Sequence, residues 1–148
     1  MPTTGTDIRS VRAADIPPEG AAGPREPLDV SAVLGVWHNT NGRTGGISRA
    51  ELTSRHGRVW AHVWAVDPVT TGFCDWGSAP VTAFFTDGPW SRKICGYTVT
   101  FDLGHARTEI QANMSHGLTV YAAFTRFTDG SGRLNYLSRE FFHVDADS

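Results

Sequence analysis

Residues 106–127 read ARTEIQANMSHGLTVYAAFTRF. Arg107, Glu109, Gln111 and Asn113 alternate with Thr108, Ile110, Ala112 and Met114, the period of two that marks a strand with one wet and one buried face. MSHG then breaks the pattern, and 117–127 resumes as a run rich in Val, Tyr, Phe and Thr, residues that suit a pleated surface. So short a connection forces antiparallel pairing, because a parallel crossover needs about a dozen residues or more. The stretch is therefore a β-hairpin.

The same grammar extends in both directions. Candidate strands are 33–39, 46–53, 57–66, 79–86, 93–103, 106–114, 117–127 and 133–144, and the turns SRHG, TDGPW, DLGH and TDGSG carry the Gly, Asp and Ser that tight hairpins use. The expected fold is all-β, an eight-stranded antiparallel meander. Closure into an up-and-down barrel removes both exposed edges, whereas a two-sheet sandwich would keep the same hairpins. Two longer connections, 40–45 and 67–78, are the expected rim of a binding site. Residues 1–27, rich in Pro, Gly, Ala and Thr, read as a flexible tail, leaving 28–148 as the barrel domain.

The 148 residues suit one domain. A formal net charge of -2 offers no basic surface for nucleic acid, so no nucleic-acid partner is expected. No stretch approaches the roughly 20 apolar residues of a membrane span, so no membrane partner and a cytoplasmic location are expected. Cys74 and Cys95 have no metal-motif spacing and read as free thiols. His38, His56, His62, His105, His116 and His143 form no ligand pair, and no phosphate loop, dinucleotide fingerprint or nucleophile elbow is present. No metal and no cofactor are expected.

Leu28–Leu34 could form one helical turn, and it leads into Gly35-Val36-Trp37-His38-Asn39. This opening resembles that of the calycins, the barrel superfamily of lipocalins and avidins, in which a Gly-x-Trp starts the first strand. The resemblance implies that Trp37 closes the barrel floor against the 28–34 plug and that Arg139 of the last strand packs over it. It also implies that Asn39 points inward toward a ligand. The likeness covers the first hairpin and one Arg, and biotin binding is not carried over. A second likeness is architectural only, to the small β-barrel cyclases of specialised metabolism.

In 57–66, Arg58, Trp60, His62, Trp64 and Val66 share one face, and Val59, Ala61, Val63 and Ala65 the other. With both faces apolar, the strand is either covered by another segment or part of a homo-oligomer interface. Should the rings face inward, Trp60 and Trp64 either bracket His62 as walls of a substrate site or simply fill the barrel. His62 would be a general base or donor, and Tyr97 and Tyr121 hydroxyls could polarise a substrate carbonyl. Tyr136, Asn39, Asp75 and Trp76 are the remaining candidate substrate contacts, the last two capping the mouth or forming a turn. The function these residues suggest is a cofactor-free cyclase or isomerase acting on a hydrophobic small molecule, with a non-catalytic carrier as the alternative.

Overall fold

The computed structural model describes residues 28–67 and 70–145. Eight strands follow one another: β1 Gly35–Asn39, β2 Ile47–Arg55, β3 Arg58–Val66, β4 Phe73–Thr86, β5 Ile94–Asp102, β6 Ala106–Ser115, β7 Leu118–Phe127 and β8 Tyr136–Val144. Each is antiparallel to the next, and β1 pairs with β8 to close the barrel. The expected meander barrel is thus the fold, and the sandwich is not formed. The tail expected over 1–27 lies outside the described residues.

Two hairpins are as tight as the sequence suggested. His56-Gly57 and His116-Gly117 all have positive φ, between 52° and 81°, the requirement of a type I′ turn whose twist matches the flanking strands. They join Arg55 to Arg58 and Ser115 to Leu118.

The long third connection is shorter than the sequence suggested, because β4 begins at Phe73 and not at Ala79. Its first residues extend the β3 ladder across a bulge: Val63 faces Gly77, Trp64 faces Asp75, and Trp76 is the extra residue. Gly77 takes φ 80°, where a side chain would be strained. The bulge changes the alternation, so that Asp75 points out of the barrel and Trp76 in, toward Phe101 at 5.7 Å.

One end is closed. Residues 31–33 form a single turn, with Val33 N–H donating to Val30 O at 2.9 Å, and Val33 is wholly buried. The Trp37 indole N–H donates to Val33 O at 2.9 Å, fastening the turn across the floor. Above it Leu52, Val63, Val99, Ile110, Tyr97, Tyr121 and Phe142 fill the lower lumen. Arg139 does not join them. It pairs with Ala122 on the outer wall and is exposed, because Glu140 and Phe142 set the inward parity of β8.

Replacing Trp37 by Phe retains a ring but leaves the buried Val33 carbonyl without its donor, which costs about 1–3 kcal/mol. Urea unfolding should show that loss, and Trp37→Ala should lose about 3–5 kcal/mol by opening a cavity as well.

Candidate functional site

The opposite end is open. The described parts of four connections surround it: 40–46, 67 with 70–72, 103–105 and 128–135. They frame a cavity of about 640 Å³ whose walls descend to Ala65, Ala106 and Ala123, small side chains that leave the upper lumen unfilled. Thr108 and Thr125 face each other across β6 and β7 with their hydroxyls 2.9 Å apart. Trp76, Phe127 and Tyr136 supply aromatic surface, Phe127 and Tyr136 with centroids 6.1 Å apart.

The polar fixture of this cavity is Glu140. On β8 it has the inward parity of Phe142, and its Oε2 accepts hydrogen bonds from Asn39 Nδ2 and Thr44 Oγ1. Asn39 Nδ2 also donates to Ile47 O at 2.8 Å, while its Oδ1 accepts from Asn41 N at 2.8 Å. The same amide therefore folds the 40–46 loop and orients the carboxylate. A methyl group at Gly46 would collide with Glu140 Oε1, so the glycine makes room for the acid.

Of the residues singled out from the sequence, Trp76 and Tyr136 line this cavity and Asn39 holds its carboxylate. Tyr97 and Tyr121 face inward but lie deeper, fully buried, with their hydroxyls 2.5 Å apart. Each phenol already has a partner. Burial pushes both ionisations upward, and for Tyr97 the neighbouring Tyr121 raises it further.

Trp60, His62, Trp64 and Asp75 are elsewhere. All four project from the outer wall, so neither the lumenal pocket nor the filled barrel uses the β3 rings. The narrow interior explains this: it already holds Trp37, Phe101, Tyr97, Tyr121 and Phe142, and β3 contributes only Val59, Ala61, Val63 and Ala65. Outside, the rings are covered by cations. The Arg49 guanidinium lies 4.0 Å from the Trp64 centroid, and Arg55 and Arg58 lie 4.8 and 5.7 Å from that of Trp60.

His62 stacks on Trp64 at 4.0 Å and 10°. Its Nε2 is 2.6 Å from Asp75 Oδ1 and its Nδ1 is 3.2 Å from Ser78 Oγ. Asp75 also accepts the Gly77 amide at 2.7 Å, and that bond, then His62, hold its carboxyl below the usual range. These are the residue types of a nucleophile–base–acid relay. Yet they stand on the outer wall with Asp75 at 56% side-chain exposure, and none of the three lines the cavity at the mouth. The array braces the β3–β4 bulge.

Glu140, Thr44, Thr108 and Thr125 were not identified as site residues from sequence. Alternation alone could not find Glu140: Tyr136, Ser138, Glu140 and Phe142 share one face and Leu137 and Phe141 the other, and only the structure shows Phe142 buried and Phe141 exposed. Cys74 borders the mouth and Cys95 the outer surface of β5, both as free thiols. Among the described residues no helix is long and apolar enough to cross a membrane.

The Tyr pair makes an alkaline prediction. Because the native phenols ionise above the ordinary value near 10, their contribution is fully present below about pH 10 and lost as pH rises through the native values. Unfolding titrations should show a steep loss of stability above that point, reduced in the Tyr97→Phe/Tyr121→Phe double variant. Each single variant should cost about 1–3 kcal/mol and the double less than their sum, since only a single change strands a buried hydroxyl. Compared with known proteins, the chain matches no family model, no curated protein and no solved structure.

Proposed function

We propose that this barrel binds a small, partly apolar molecule in its open mouth. The observation that carries the reading is the cavity of about 640 Å³, within the usual range for ligand sites, with small walls, aromatic faces and one oriented carboxylate. A calycin-type binding barrel is the family reading we favour. The Trp37 floor and its bond to the plug support it, and the outward Arg139 departs from it.

Binding without chemistry is preferred because the expected catalytic groups are committed: His62 to Asp75 and Ser78, Tyr97 to Tyr121. A cyclase or isomerase is the second reading. Its acid–base work would fall to groups that border the cavity, with Glu140 foremost because Asn39 and Thr44 fix its orientation.

We propose further that self-association uses β7 and β8 and not β3, whose second apolar face is the lumen. Phe124, Leu137 and Phe141 are 39, 56 and 47% exposed there. Arg139 and Glu109, neither ion-paired within the described chain, lie in adjacent rows of the same face. A two-fold copy could pair them across the interface. Sedimentation should show a concentration-dependent dimer that Leu137→Glu abolishes; a monomer at every concentration rules the interface out.

For the ligand site, dansylamide is a suitable neutral aromatic probe. Its fluorescence should rise and shift to the blue in a saturable one-to-one titration. Ala65→Leu, which fills the upper lumen, should weaken binding by about tenfold or more, equivalent to about 1.4 kcal/mol. Saturable binding indifferent to Ala65→Leu, or none at all, would refute the mouth site.

A further inference from the structure

We infer that the molecule this mouth selects is an organic cation: a primary or secondary ammonium group carried on a flat apolar body. The inference rests on the binding reading above and assigns its ligand class.

The argument starts from the two oxygens of Glu140. Oε2 is used by the Asn39 amide and the Thr44 hydroxyl. Among the described residues Oε1 accepts no hydrogen bond, and no described cation is ion-paired with the carboxylate. The groups that hold Glu140 have no further freedom, because Asn39 also bonds Ile47 O and Asn41 N, and Thr44 Oγ1 accepts from Gly46 N at 3.0 Å. The acid is thus held in one position with one oxygen available.

A half-buried carboxylate without a counter-charge is costly, and the cost falls when a cation reaches it. The arginine that lines the cavity is already engaged. Arg133 bonds Asp129 at 2.7 Å and lies 4.2 Å from the Phe127 centroid. Gly46 keeps Oε1 accessible where any larger residue would displace it. The aromatic faces of Trp76 and Tyr136 favour a cation or a flat apolar body and give an anion nothing comparable. A ligand carboxylate would instead meet Glu140 directly.

Three probes with one fluorophore test this: dansylcadaverine, which carries an ammonium, neutral dansylamide and anionic dansylglycine. The native protein should bind dansylcadaverine about tenfold or more tighter than dansylglycine, a preference that 1 M salt reduces. Glu140→Gln keeps an acceptor for Asn39 and Thr44 but removes the charge; it should bring dansylcadaverine down to the affinity of dansylglycine, with far-UV circular dichroism reporting an intact barrel. Gly46→Ala, which displaces the carboxylate without removing it, should reduce the preference too, again with the native circular dichroism spectrum retained. Equal affinity for all three probes, or a preference that survives Glu140→Gln, overturns the cation assignment and leaves the binding site standing. Failure of every probe to bind overturns both.

Discussion

The constraint on which the structure depends is closure. β1 meets β8 through Trp37–Val144, His38–His143 and Asn39–Phe142, and that seam gives all eight strands one shared interior. An interior of eight strands is narrow enough for side chains to fill it. Every inward residue therefore competes for the same volume, and the distribution of large and small residues along the axis decides where space remains. Tyr97, Tyr121 and Phe142 occupy the lower half, while Ala65, Ala106 and Ala123 leave the upper half open. The cavity is a consequence of packing at the floor.

The same seam builds the polar fixture. Asn39 ends the first strand and Glu140 lies on the last, 101 residues away in sequence, yet closure sets them side by side. One amide then serves two purposes, turning the 40–46 loop and orienting an acid. A loop that merely covered the mouth would not need Gly46 to stay small; here its missing side chain is what admits the carboxylate.

Bulges redirect what alternation alone would place. Without the extra Trp76, the Asp75-Trp76 pair would have the opposite sense, with the indole in water and the acid in the lumen. The bulge lets the indole line the mouth and gives the outer His62 its carboxylate. Arg49, Arg55 and Arg58 complete that outer wall by covering the rings of Trp64 and Trp60, so a strand apolar on both sides needs no second subunit to shield it.

The sequence by itself determined the number of strands, their antiparallel order and the inner faces of the well-patterned ones, while the start of β4 at Phe73 depended on a bulge. Ile110 against Gln111, and the His-Gly turns, are local signals that act within a few residues. Trp37 as the floor was implied by a resemblance, that of Gly35-Val36-Trp37 to a calycin opening. Only the tertiary structure decided the faces of β3, where Val59-Trp60-Ala61-His62-Val63-Trp64 is apolar in both parities and hydrophobicity cannot choose between them. Volume in the filled lower lumen chose: it admits Val59, Ala61 and Val63, and the strict alternation of the strand then carries Trp60 and Trp64 outward together. The Glu140 site was hidden for the same physical reason, since its meaning comes from Asn39, Thr44 and Gly46, which reach it only when the last strand closes on the first.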